Sequence, residues 1–154
     1  MKNPYEPTEP GAAAEAAQTL TTLPSLEDTR EQMETAILHL GHQISTIAPE
    51  VFFEWRREDS RGRCLPPFEQ TEGEDILLRA YVSETPIPER HWQQAYELAV
   101  ETAHSLGADH LTVFKDAPND HDLRFTSDTG TTFRFGSQAA ALISGSTGCR
   151  LPKK

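Results

Sequence analysis

The sequence predicts an α+β domain: an antiparallel sheet of about five strands with two helices packed on one face, in the order α-β-β-α-β-β-β. Three observations predict it. Two segments carry apolar residues three and four apart, the period of a helix. Several short segments alternate apolar and polar residues, the period of a strand. The last strands are separated only by tight turns, which suit antiparallel neighbours. A chain of 154 residues has room for one such domain and a tail.

Residues 1–24 read as a disordered Pro/Ala-rich tether. Pro4, Pro7, Pro10 and Pro24 favour extended backbone, and "AAAEAA" has no apolar face to bury. Such a tail is expected to add nothing to the stability of the fold. Residues 25–152 then form a single α+β domain.

That domain opens on a helix. "SLED" (25–28) is a capping box in which Ser25 accepts from a backbone N–H. Leu26, Met33, Ile37, Leu40, Ile44 and Ile47 line one face, and Pro49 ends the helix. "VFFEW" (51–55) is aromatic and β-branched and reads as a strand, followed by a polar loop carrying Cys64. "ILLRAYVSE" (76–84) reads as one uninterrupted strand. Its alternation puts Ile76, Leu78, Ala80 and Val82 on one face and Leu77, Arg79 and Tyr81 on the other.

The second helix lies within "TPIPERHWQQAYELAVETAHSLGA" (85–108). Pro88 suits its first turn and Gly107 its end. Trp92, Ala95, Tyr96, Ala99, Ala103 and Leu106 form its buried stripe. "LTVFK", "DLRFTS" and "TTFRFG" are three short strands divided by "APND" and "DTG", and "AAALISG" is a candidate fourth.

Charge and cysteine content bound the function. A formal charge of −10 repels phosphate-rich surfaces, so nucleic acid is not an expected partner. No apolar run approaches the ~18 residues that cross a bilayer, and no apolar segment follows Met1, so any signal peptide is expected to be absent or removed. The chain has two cysteines, Cys64 and Cys149. They leave either a disulfide, which implies an oxidising compartment, or two inert buried thiols.

Catalytic motifs are weak. Asp128–Gly130 spells "DTG", but aspartic-protease chemistry needs two carboxylates sharing a proton, and a single copy between strand segments reads as a hairpin turn. His39 and His42 lie three apart, and Glu101 with His104 forms a single Glu-x-x-His pair. A di-metal bundle needs two such pairs and two further glutamates, so these read as solvated helix faces. No nucleophile elbow or phosphate loop is present in the sequence. No catalytic residue, metal or cofactor is expected. The one unusual surface feature is a basic and aromatic patch: on strands phased as above, Arg79, Tyr81, Arg124 and Arg134 share the face opposite the aliphatic stripe, where guanidinium forks suit an anionic ligand or partner.

A first helix, a mid-chain cysteine, the "PIPERHWQQAYELAVETAHSLGA" helix, a Phe-containing strand and the ending "FRFGSQAAALISGSTGCRLP" together resemble the LppA-like lipoprotein family of mycobacteria. The resemblance spans roughly residues 25–152, and its most specific element is "TGCRLP" with Cys64. It implies export, N-terminal lipidation on a cysteine, residence in the cell envelope outside the cytoplasm, and an unassigned activity. The chain lacks a lipobox cysteine and a signal peptide, so the resemblance implies a mature form.

On this reading Cys149 bonds to Cys64, tying the exit of the last strand to the loop after the first, and "LPKK" is a short exposed end. The expected function is that of a non-enzymatic exported lipoprotein domain binding an envelope lipid or an envelope protein. The competing expectation is a small cytosolic chaperone-like or regulatory α+β domain with free thiols.

Overall fold

The structure is a computed structural model and describes residues 6–154. Among them are three helices and eight strands. The helices are α1 (Pro10–Thr21), α2 (Leu26–Ile47) and α3 (Glu89–Ser105). The strands are β1 (Glu54–Arg56), β2 (Ser60–Arg63), β3 (Glu74–Leu77), β4 (Ala80–Ser83), β5 (His110–Ala117), β6 (Asp120–Thr126), β7 (Thr132–Ser137) and β8 (Ala141–Ser146). The α+β class and the antiparallel sheet agree with the sequence; the element count is larger.

The sheet runs β1-β4-β8-β7-β6-β5, with β3 alongside β8 and β2 outside β3. The strand pairs are all antiparallel. Helices α2 and α3 cover one face. Leu26, Met33, Ile37, Leu40 and Ile44 of α2 are fully buried in one cluster with Trp92, Ala95 and Ala99 of α3 and with Phe133, Phe135 and Ile143 of the sheet. Ser25 caps α2 by accepting the Asp28 N–H at 3.1 Å. Gly107, at φ +73°, turns the chain out of α3.

The sequence reading undercounts strands for two physical reasons. Strand β2 is built from Ser, Arg and Gly, all exposed, and exists because it pairs with β3 rather than because its residues favour a strand. The segment 76–84 is not one strand but two. Leu77 lies opposite Ser146 while Tyr81 lies opposite Ile143, so four steps on one side meet three on β8. The extra residue is a bulge at Leu78–Arg79, and a one-residue slip reverses every later side chain. Ile76 and Leu78 point into the core, but so does Tyr81, leaving Ala80 and Val82 on the outer face.

A second correction concerns the tether. Its first five residues lie outside the described residues, but residues 10–21 are helical rather than extended. Pro10 occupies the first turn, the alanines favour helix, and Ala16 and Leu20 are buried. Two buried side chains are too few to give a legible periodicity. Leu20 packs with Cys64 and Cys149 in a small cluster flanked by Leu23, Phe68 and Leu151. Thr8 adds a second attachment: its N–H and hydroxyl each donate to a Glu69 carboxylate oxygen at 2.8 Å. The tail therefore contributes to the fold. Leu20→Ala should destabilise the protein by about 2 kcal/mol, because a fully buried leucine leaves a cavity behind. Urea denaturation checks it; an unchanged midpoint would mean α1 is not packed in solution.

The C-terminal end is docked as well. The Leu26 N–H donates to the Leu151 carbonyl at 2.9 Å, and the Lys153 N–H donates to Glu27 at 2.7 Å. Only the last two lysines are exposed.

Candidate functional site

With α2 and α3 on one face, no layer covers the other face of the sheet among the described residues. Its side chains follow from register. Arg124 lies opposite Arg134, and Arg134 lies opposite Ser144. On the far side of the sheet, Ala80 lies opposite Arg56. Arginines therefore stand towards both ends of a lateral row whose middle is Ser144 and Ala80. Small residues between long ones make a trough. The result is a groove of about 850 Å³ floored by Ala80, Val82, Leu142 and Ser144 and bordered by Arg56, Arg57, Arg124 and Arg134, with Glu58 as its one carboxylate.

The four arginines are held differently. Arg134 donates to both oxygens of Asp122, at 3.1 and 2.9 Å, and that bonded carboxylate pushes its guanidinium pKa further up. Arg56 makes an exposed pair with Glu84 at 3.3 Å. Arg124 stacks on the Phe114 ring at 5.0 Å. Among the described residues, neither Arg124 nor Arg57 has a carboxylate within ion-pair distance. Both are exposed and free to meet an incoming anion.

The expected patch is thus half assembled. Arg124 and Arg134 are neighbours on the open face, as their alternation predicts. Arg79 and Tyr81 sit with their heads on the opposite side, because the bulge reverses their phase. Tyr81 packs on Phe53 and Trp55, with ring centroids at 5.3 and 4.4 Å, and lies directly under Gly41 of α2. Burial pushes its phenol pKa up. Arg79 stacks over Trp55 at 4.6 Å and reaches Glu34 at 3.6 Å, contributing only to the lip of the groove. The sequence reading missed Arg56 and Arg57. Their signal is two adjacent arginines where a strand ends: Arg56 is the last residue of β1, and Arg57 follows it at φ 68°.

Two polar clusters elsewhere are structural. Asp59 accepts from Arg30 Nε at 2.7 Å and from the Arg79 N–H at 2.9 Å, clamping the β2–β3 hairpin to α2. Burial alone would raise the Asp59 carboxyl, but these donors outweigh it and hold the pKa below the ordinary range. His121 is buried against Trp92, ring centroids 4.0 Å apart, between Asp116 at 3.0 Å and Glu89 at 2.7 Å. Each ring nitrogen thus faces a carboxylate of the fold, and the ring itself is buried. Glu89 also accepts the Asn119 N–H at 2.6 Å, so this trio ties the β5–β6 turn to the start of α3. The "DTG" segment is the β6–β7 turn, and His39 and His42 are exposed on α2.

Three comparisons set this geometry among known proteins. A family model described as LppA, a lipoprotein confined to pathogenic Mycobacterium, matches residues 1–153. No curated protein matches the chain in sequence. Among solved structures, a lipoprotein LppA from Mycobacterium tuberculosis superposes with a TM-score of 0.77 at 12% identity, covering 92% of this chain and 88% of that one. A DUF4853 family protein from Actinomyces odontolyticus superposes with a TM-score of 0.59 at 14% identity, covering 86% and 72%. At these identities the structural matches show a shared fold.

Proposed function

The chain belongs to the LppA lipoprotein family, and from that premise we propose that it is the folded domain of an exported cell-envelope lipoprotein that works by binding rather than by catalysis. Its ligand is an anionic amphiphile, a single envelope lipid, seated in the groove on the open sheet face.

The observation that carries this reading is the contrast between the groove and the rest of the molecule. The protein carries a net −10, yet five arginines and one glutamate line the groove, and two of those arginines, Arg57 and Arg124, have no carboxylate partner among the described residues. Its floor is apolar and small. Guanidinium groups at the rim would take a phosphate or carboxylate head, and Val82, Leu142 and the exposed Leu77 beside them would take part of an acyl chain. Overall negative charge disfavours lying flat on an anionic bilayer, so a lipid monomer suits the surface better than a membrane does.

Dihexanoyl phosphatidylglycerol, a short-chain soluble lipid, is the probe, with dihexanoyl phosphatidylcholine as the zwitterionic control. Titration calorimetry should detect the first and give much weaker heats with the second. Replacing Arg57 and Arg124 together by glutamine should weaken binding by about tenfold per arginine, the scale of one charge-assisted bond. Both are exposed and unpaired, so the fold should be untouched. Equal titrations for wild type and double variant would remove the groove from consideration.

A further inference from the structure

We propose that a second, separate cavity, beneath the C-terminal arm, binds a small inorganic anion, chloride or one of similar size, against Arg150. This cavity is independent of the groove and lies on the helix side of the sheet's end. It measures about 110 Å³ and is bordered by Thr29, Gln32 and Met33 of α2, by Leu106, by Thr129 and Thr131 of the β6–β7 turn, and by Arg150. The space is several times the ~30 Å³ that one water occupies in the liquid.

Arg150 is the unusual residue. It is only 3% exposed, yet it makes no ion pair with any carboxylate among the described residues. Its Nη1 donates to the carbonyls of Thr129 and Cys149 at 2.8 and 2.7 Å. Its Nη2 donates to the hydroxyls of Thr129 and Thr131, both at 3.1 Å. All four acceptors are neutral. The fifth donor, Nε, is buried and has no partner among the described residues.

Burial lowers the guanidinium pKa, with Asp75 opposing that only through space. A buried charge with no carboxylate bonded to it is costly, and buried polar groups otherwise find partners. An anion in the adjoining cavity supplies the missing charge.

The chemistry favours a weakly hydrated monovalent ion over phosphate. The Thr29 and Thr131 hydroxyls already donate to the Ser25 and Thr147 carbonyls, at 2.8 and 3.0 Å. That leaves few free donors, whereas phosphate offers many acceptor oxygens that would need them. Met33 and Leu106 supply an apolar wall that chloride tolerates and a divalent oxyanion does not. The amide of Gln32, held only by a 3.4 Å contact to the Ser105 carbonyl, is the second donor available to turn inward.

Thermal melts of the full chain in sodium chloride, compared with sodium gluconate at equal ionic strength, test the proposal. Gluconate is too large for the cavity. A saturable rise of about 5 °C between 5 and 500 mM chloride, absent in gluconate, is the expected result for a millimolar site. Superimposable curves in the two salts would overturn it. Arg150→Met should abolish the chloride effect. Should that variant not fold, crystals of the wild type grown in bromide decide the matter: anomalous density beside Arg150 supports the site, and bromide found only elsewhere, or not at all, rejects it.

Discussion

Reduction of the Cys64–Cys149 disulfide is expected to lower the melting temperature by about 10 °C or more. The two cysteines are 85 residues apart in sequence, with Cα atoms separated by 5.6 Å. Opening so long a loop in the unfolded chain removes about 4–5 kcal/mol in the chain-entropy account, and in a protein of this size each kcal/mol moves the midpoint by about 2–4 °C. The bridge also has local work. Cys64 leaves β2 and Cys149 follows β8, so the bond pins the exposed β2–β3 hairpin to the end of the central strand. The sulfurs pack with Leu20, and Gly73 lies directly against Cys149 Sγ. Losing the bridge therefore loosens the hairpin and α1 together. Melts with and without a phosphine reductant measure the first effect, and amide exchange across residues 10–21 measures the second. A midpoint that moves by less than a degree or two, after thiol titration has counted two free cysteines, would contradict the account.

How far the fold was legible in the sequence depends on what held each element in place. Helices α2 and α3 owe their existence to their own residues: a capping serine, a stripe of leucine and isoleucine, a stop at Pro49 or Gly107. All of that is local and readable. So is the alternation of Phe133 and Phe135 with Arg134, which put Arg134 on the open face beside Arg124. Strand β2 and helix α1 owe theirs to partners, and Ser60–Arg63 or Ala12–Ala17 alone carry no trace of those partners.

The groove was half legible for a sharper reason. Alternation propagates a face assignment only while the strand is regular, and one inserted residue at Leu78–Arg79 reversed it for Tyr81. Nothing in "ILLRAYVSE" marks the bulge, because its cause is the register of β3 and β4 on β8, set by residues some sixty positions away. The bulge is also what places the small residue Ala80 on the outer face, where Tyr81 would have filled the trough.

The close of the chain, "GSTGCRLP", is the segment on which the disulfide, the buried arginine and the β6–β7 turn all depend, and Gly148→Ala should cost about 3 kcal/mol. Gly148 sits at φ +76°, a conformation that costs an L-residue with a side chain about 1–2 kcal/mol. A Cβ there would also fall 2.7 Å from the carbonyl carbon and 2.9 Å from the oxygen of Gly130, and 3.0 Å from the Thr131 nitrogen. These are backbone atoms of the facing turn, which cannot rotate aside as a flexible side chain could. Moving them disturbs the Thr131 hydroxyl bond to the Thr147 carbonyl and the Arg150 bond to the Thr129 carbonyl. Gly130→Ala is the internal control. Gly130 is also at positive φ, +88°, but its Cβ would meet only Gly148 Cα, at an ordinary 3.6 Å. That variant should cost only the conformational part, about 1–2 kcal/mol. The difference between the two denaturation midpoints therefore isolates the close approach of the two turns. Equal losses would show that the C-terminal segment does not press on the β6–β7 turn, and that Cys149 reaches Cys64 by a different path.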